Sequence, residues 1–148
     1  MKDLIAPTET LNWNGTSYST ILTTKASGGA MSIVDSESPL GSGPPRHIHD
    51  REDEAFVVLT GEIEFWLEGQ RFTRRAGETA FVRRGREHTF RVVGNGPSRH
   101  LVILTPGGFE GFFADMARGQ FRIPEDMPAV LESAEAHSLR FTGPPLTD

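Results

Sequence analysis

The chain has 148 residues, of which 36% are hydrophobic and 24% are charged, and its formal net charge is −5. This length fits one domain, and the composition is that of a folded globular protein. The lack of cysteine excludes disulfide frameworks, cysteine-ligated metals and a cysteine nucleophile. The acidic charge argues against a nucleic-acid partner, and the short apolar runs argue against membrane insertion. Without an apolar leader at its N-terminus, the chain is expected in the cytoplasm.

The order of the segments predicts an all-β protein. Residues 1–15 are expected to be an irregular lead-in. Residues 16–106 are expected to form a β-barrel, because short β-prone runs alternate there with glycine-containing turns. These runs are Tyr18–Thr24, Ala30–Val34, Glu54–Leu59, Glu62–Leu67, Arg71–Arg75, Thr79–Val82, His88–Val93 and Arg99–Thr105.

Residues 107–148 have a different pattern, which predicts a helical tail packed on the barrel. Phe109–Arg118 is a predicted helix because its apolar residues recur at helical spacing. Pro128–Leu139 is a second predicted helix, with a proline in its first turn, and the Gly143–Pro145 segment is expected to end it. The aromatic residues of the first helix are interpreted as packing against the barrel rather than as a substrate lid.

Three histidines and one glutamate carry the strongest chemical signal. His47 and His49 are two residues apart, so on a strand both side chains project from the same face. Glu54 follows five residues later, and His88 lies on a separate predicted strand. Three imidazoles and one carboxylate suit one divalent transition metal such as Fe, Mn, Ni, Co, Cu or Zn. Four ligands would leave positions open on a six-coordinate ion, as in a catalytic site.

The spacing of these residues resembles the two sequence motifs of the cupin superfamily. The agreeing positions of the first motif are Gly41, His47, His49, Glu54 and Gly61, and those of the second are Gly77, Gly85 and His88. Two positions depart from the family pattern, because Arg83 stands in place of a proline and Val92 in place of an asparagine. Neither departure affects a residue of the ligand set.

The resemblance implies a single cupin-type β-barrel (jelly roll) with short C-terminal α-helices. It also implies that His47, His49, Glu54 and His88 hold the metal. The Pro106–Phe113 and Gly143–Leu146 segments look like the tail of small single-domain cupins called quercetin 2,3-dioxygenase-like. That likeness implies a metal-dependent dioxygenase acting on an aromatic or enol-like substrate. Glu54 is the predicted catalytic base, because it is the only carboxylate of the ligand set and could take a proton from an acidic substrate hydroxyl.

Alternation along the strands predicts which side chains share the interior with the metal ligands. If Glu54 and His88 face inward, every second residue after each of them does so too. The predicted pocket for a small organic substrate is therefore lined by Phe56, Val58, Phe90 and Val92. By the same rule Val57 and Leu59 face outward, and an apolar outer face predicts a homodimer.

Two weaker features are given ordinary structural interpretations. His100 alternates with apolar neighbours and is interpreted as a structural strand histidine rather than a fifth ligand. The arginine-rich stretch between residues 71 and 99 is interpreted as a solvated face. Its expected acidic partners are Asp50, Glu52, Asp53, Glu62, Glu64 and Glu68.

Three function classes remain open on the sequence. The leading hypothesis is a metal-dependent oxidoreductase. A metal-dependent isomerase or lyase that uses no O2 is an alternative, because a bound metal can act as a Lewis acid alone. A non-enzymatic small-molecule-binding cupin is the third.

Overall fold

Two antiparallel β-sheets enclose the core in the computed structural model, which describes residues 9–148. One sheet has six strands in the order β1-β2-β3-β10-β5-β8, and the other has five in the order β11-β4-β9-β6-β7. The strands are β1 (Thr10–Trp13), β2 (Thr16–Leu22), β3 (Ser32–Ser38), β4 (Pro45–His49), β5 (Asp53–Thr60), β6 (Glu62–Leu67), β7 (Gln70–Arg75), β8 (Thr79–Val82), β9 (His88–Val93), β10 (Ser98–Thr105) and β11 (Leu139–Pro145). The helices are α1 (Glu110–Gly119) and α2 (Met127–Ala136).

The predicted all-β jelly roll with short C-terminal helices is confirmed. Each of the eight predicted β-runs overlaps an observed strand, and three of them, β6, β8 and β9, match to the residue. Strand β5 shows why the prediction succeeds, because buried and partly exposed residues alternate along most of its length. Its buried side chains join those of the opposite sheet in one core.

The two ends of the described chain differ from the sequence prediction. Thr10–Trp13, expected to be irregular, forms β1 and pairs with β2, while residues 1–8 of that lead-in lie outside the described residues. Helix α2 ends at Ala136, earlier than predicted, and Leu139–Pro145 forms β11 instead. Its prolines are tolerated because β11 is the edge strand of its sheet.

The helical tail packs beside β1 and β11. The indole N–H of Trp13 donates to the carbonyl oxygen of Phe121 at 2.7 Å, which joins β1 to the segment after α1. The carboxylate of Glu110 accepts hydrogen bonds from the backbone N–H and hydroxyl of Thr24, both at 2.7 Å. Within residues 9–148, neither helix is long and apolar enough to cross a membrane.

Candidate metal centre and cavity

The structure brings the four predicted ligand residues together. His47 and His49 are the buried residues of β4, and His88 on β9 is the register partner of His47. Glu54 reaches the same point from β5, which belongs to the other sheet. One ligand atom from each residue lies within 4.8 Å of all the others, and all four side chains are buried. The cluster therefore bridges the two sheets.

A turn outside the cluster helps to position β4. The backbone N–H of Gly85 donates to the carbonyl oxygen of His49 at 2.8 Å. Gly85 has a φ of 82°, in the left-handed region that favours glycine. The positive φ of Gly85, rather than the contact itself, accounts for a glycine at this position.

Backbone carbonyls orient two of the three imidazoles. Nδ1 of His47 lies 2.8 Å from the carbonyl oxygen of Pro45, and Nδ1 of His88 lies 3.0 Å from that of Arg86. A carbonyl only accepts, so each Nδ1 carries a proton in these contacts and donates it. In the neutral ring of His47 this leaves the lone pair on Nε2, the form that ligates a metal, whereas Nε2 of His88 lies 2.8 Å from Oε1 of Glu54. The donor set therefore fits a transition-metal ion.

The third imidazole, that of His49, faces an acidic residue that the sequence analysis placed at the surface. Nδ1 of His49 lies 3.7 Å from Oε1 of Glu52, and both side chains are 3% exposed. Neither of these atoms has a hydrogen-bond partner. The expectation of Glu52 as a solvated partner for arginines is wrong, because Glu52 turns inward behind a candidate ligand.

Burial and neighbouring charges set the protonation of the cluster. Burial, followed by the charges of His88 and His49, holds the pKa of His47 well below its usual value, so His47 is neutral. Burial of Glu54 raises its pKa, but the neighbouring His49 and His88 outweigh that effect and lower it to about 2. Burial also lowers the pKa of His49, but the charges of Glu54 and Glu52 raise it by more, so the net shift is upward. The site thus pairs an ionised carboxylate with imidazoles.

A cavity of about 200 Å³ opens beside the cluster. His47, His49 and Glu54 are on its wall, whereas His88 lies behind it. Of the predicted pocket residues, Phe56 and Phe90 line the cavity. Val58 and Val92 are buried but do not line the cavity. Core side chains fill that part of the interior, and one of them is Ile63, the register partner of Val92. Contact of any of the four with a substrate stays a prediction.

The cavity also has polar residues that the sequence analysis did not assign to it. Tyr18, Ser36 and His100 line it from three neighbouring strands. Ser36 is the register partner of both Tyr18 and His100. His100 was expected to be an ordinary strand histidine, and no sequence signal distinguishes such a residue from one that faces a cavity. It is 1% exposed, and its Nδ1 has no hydrogen-bond partner.

A family comparison agrees with this geometry. The model of the cupin domain family, Cupin_2, matches residues 36–104, which include all four candidate ligands. Residues 36–104 match that model and are called the cupin domain below. The buried His/His/Glu/His cluster is typical of a cupin metal site.

Known proteins similar to this cupin domain differ in their activities. Quercetin 2,3-dioxygenase from Bacillus subtilis is 30% identical over 89 residues, 60% of this chain and 26% of that protein. The chain thus spans about a quarter of the length of the curated relatives it matches. A predicted oxalate decarboxylase from Thermotoga maritima is 25% identical, with a TM-score of 0.59 over 67% of this chain and 91% of the other.

A third similar structure covers the tail as well as the cupin domain. The Streptomyces nucleoside dehydratase Pac13 aligns with 94% of this chain and 88% of its own, with a TM-score of 0.62 and 12% identity. At that identity the likeness concerns the fold alone. It extends the fold assignment to nearly the whole chain.

Helix α1 and the residue before it, Phe109, pack on the cupin domain and line its cavity. Phe109 and Phe112 are buried, and both line the cavity together with Phe113. The ring of Phe109 contacts that of His49 edge-on at 4.5 Å, and the ring of Phe113 stacks on Tyr18 at 4.5 Å. The packing role predicted for these residues is confirmed, and the same contacts place them over the site.

The arginine-rich stretch is a paired, largely solvated face. Arg84 forms an ion pair with Asp53 at 3.1 Å, and Arg86 pairs with Glu68 at 2.8 Å. The further pairs are Arg71 with Glu64, Arg75 with Glu62, Arg91 with Glu64 and Asp148, and Arg99 with Asp35. Asp50 pairs outside the stretch, with Arg140.

Proposed function

We propose that this protein is a metal-dependent small-molecule oxidoreductase of the dioxygenase type, acting on an aromatic or enol-like substrate. One observation carries the proposal: three of the four candidate ligands stand on the wall of a cavity that is otherwise largely aromatic and apolar. An apolar cavity with a few convergent polar groups is the usual form of an organic-ligand site. The likeness to a protein named quercetin 2,3-dioxygenase supports this reaction class.

One divalent transition metal, of the series Fe, Mn, Ni, Co, Cu and Zn, would be held by His47, His49, Glu54 and His88. When bound, it would supply Lewis-acid chemistry and, if redox-active, chemistry with O2. The protein's own contribution is to fix the imidazoles of His47 and His88 through backbone carbonyls and to exclude water from the aromatic cavity.

Glu54 is the proposed catalytic base. It is the carboxylate among the four candidate ligands, it is ionised, and it lies on the cavity wall. Its Oε1 is 2.8 Å from Nε2 of His88. In this position Glu54 would accept the proton of an acidic substrate hydroxyl, and the anion so formed is the electron-rich form that O2 attacks most readily.

Two other functions compete with this proposal. A metal-dependent isomerase or lyase would use the same ligands without O2, and the protein named as a predicted oxalate decarboxylase supports that class. A non-enzymatic binding cupin would hold its ligand without turnover.

One experiment separates the three classes. The protein is purified without a metal-affinity tag, its metals are measured, and catechols, flavonols and enols are tested for O2 uptake and for product. O2 uptake with ring-opened or cleaved product supports the proposal. Product without O2 uptake supports an isomerase or lyase, and calorimetric binding without product supports a binding protein.

We further propose a homodimer formed through the outer face of the six-stranded sheet. Leu59 is 37% exposed and Phe81, on the edge strand β8, is 58% exposed. Phe81 on β8 is the register partner of Ala55 on β5, and Val57 on β5 is the register partner of Leu101 on β10. The outward apolar positions are therefore neighbours across these three strands. A second copy placing the same face against this one would bury them by two-fold symmetry.

A further inference from the structure

We infer that Ser36 and His100 form a second recognition point in the cavity, which binds an uncharged hydroxyl group of the substrate at the end away from the metal ligands. This inference rests on the proposed function and names a feature of the substrate. It concerns side chains outside the metal cluster.

The first observation is two buried polar side chains without partners. Oγ of Ser36 and Nδ1 of His100 have no hydrogen-bond partner, although these residues are only 2% and 1% exposed. Leaving such groups unpaired in a folded protein costs free energy. Both residues line the cavity, so a molecule inside it can satisfy them.

The second observation is their relative position. Ser36 and His100 are direct register partners on β3 and β10, so their side chains stand side by side on the same face. The rings of Phe56 and Phe90 flank His100, with centroids 6.2 Å and 5.7 Å away. A polar pair is thus framed by aromatic walls, an arrangement that admits a ring carrying one polar substituent.

The third observation is the distance from the metal ligands. Glu54 lies four residues from Val58, the register partner of His100, which is about 13 Å of extended strand. The inward side chains shorten the gap that a ligand must cross. A cavity of about 200 Å³ is only slightly larger than one of about 150 Å³ that binds benzene. A single ring with substituents at opposite ends matches this size.

The charge of the surroundings selects an uncharged substituent. Burial lowers the pKa of His100 to about 4, so the imidazole is neutral near pH 7 and offers one donor and one acceptor. No lysine or arginine is among the described residues that line the cavity. A hydroxyl can donate and accept here, whereas a carboxylate would lose its hydration without gaining a cation.

Three catechols that differ only at the substituent opposite one ring hydroxyl test the inference. Zinc-loaded protein is titrated anaerobically, by calorimetry, with 4-methylcatechol, 3,4-dihydroxybenzyl alcohol and 3,4-dihydroxybenzoate. A purely apolar pocket binds the methyl compound best, because burying an unpaired hydroxyl is unfavourable. A hydrogen-bonding pocket instead binds the benzyl alcohol more tightly, by roughly 2- to 10-fold, and the benzoate most weakly.

Variants assign the preference to the two residues. His100→Phe keeps a ring but removes both polar atoms, and it should reverse the preference in favour of 4-methylcatechol. Ser36→Ala should reduce the preference, and His100→Gln should restore part of it. Ser98→Ala is the matched control, because Oγ of Ser98 is also buried without a partner but lies off the cavity wall. It should leave the preference unchanged, and thermal melting checks that each variant is folded.

The possible failures are distinguishable. Equal or tighter binding of 4-methylcatechol by the unmodified protein overturns the inference and leaves the proposed function standing. A hydroxyl preference that survives both His100→Phe and Ser36→Ala also overturns it. If no catechol binds to fully zinc-loaded protein, the proposed substrate class fails, and the inference fails with it.

Discussion

Nε2 of His88 lies 2.8 Å from Oε1 of Glu54, a contact between residues 34 positions apart in the chain. His88 is on β9 and Glu54 on β5, so the contact joins the two sheets in the interior of the protein. A buried carboxylate needs a donor or a cation beside it. The imidazole of His88 meets that need directly, and a bound metal ion would supply the cation instead.

Substitution of Glu54 separates metal binding from proton transfer. Glu54→Gln keeps one oxygen donor but loses the charge and the basicity, so we expect part of the metal to remain while turnover falls by ~10²–10⁴. His88→Ala should lose metal and activity together. Metal per chain and O2 uptake are the measurements, with the exposed Glu132→Gln as control. Full metal and full activity in Glu54→Gln would refute the base assignment.

Glu52 is expected to hold His49 in its metal-binding orientation. A carboxylate behind a ligating histidine typically changes metal affinity by about 10–100-fold. Glu52→Gln should therefore weaken zinc binding by that factor, as measured by competition with a chelator. Asp50→Asn is the control, because Asp50 also flanks His49 but pairs at the surface with Arg140. Equal affinities of Glu52→Gln and the unmodified protein would show that this carboxylate is not needed.

Acid should destabilise the fold through His100. Its pKa is about 4 in the folded protein, against an ordinary value of 6.5. At a pH between these two pKa values, the imidazole is protonated in the unfolded chain but neutral in the native protein. The native state therefore loses stability as the pH falls, by about 2 kcal/mol between pH 7 and pH 4.5. His100→Phe removes this loss. Urea unfolding of metal-free protein at both pH values measures it, and identical losses in both proteins would contradict the assignment.

The proposed dimer depends on the outer face at β8. Phe81→Glu places a charge there and should convert a dimer into a species of 16.3 kDa in light scattering. Leu131→Glu changes another exposed apolar residue, 48% exposed on α2, and should leave the mass unchanged. The dimer interface should bury more than ~1,000 Å² in total. A monomer at high concentration in the unmodified protein argues against it.

The candidate ligand set was predictable because each of its two sequence motifs is short-range. His47 and His49 share a face by strand alternation, and the motif pattern names Glu54 and His88 without knowledge of the fold. The strands around them were predictable for the same reason, since alternation and glycine turns are signals within a few residues. The cluster itself forms between the two sheets when β4, β5 and β9 take their places in them.

Other features depend on tertiary context and escaped prediction. Thr10–Trp13 has no strong β-pattern and becomes a strand by pairing with β2. Pro144 suggests the end of a secondary-structure element in the sequence, but an edge strand such as β11 can contain a proline. The inward turn of Glu52 and the cavity position of His100 depend on packing between distant elements, which no local pattern records.

Strand β11 has a consequence for the order of events during synthesis. It pairs with β4, so that Phe141 is the register partner of His47 and Leu139 that of His49. At a translation rate of about 5–20 residues per second, β4 leaves the ribosome roughly 5–20 s before its partner. Until then the strand with two of the histidines has a free edge. The edge of β4 that carries His47 and His49 is therefore covered only after residues 139–145 have been synthesised.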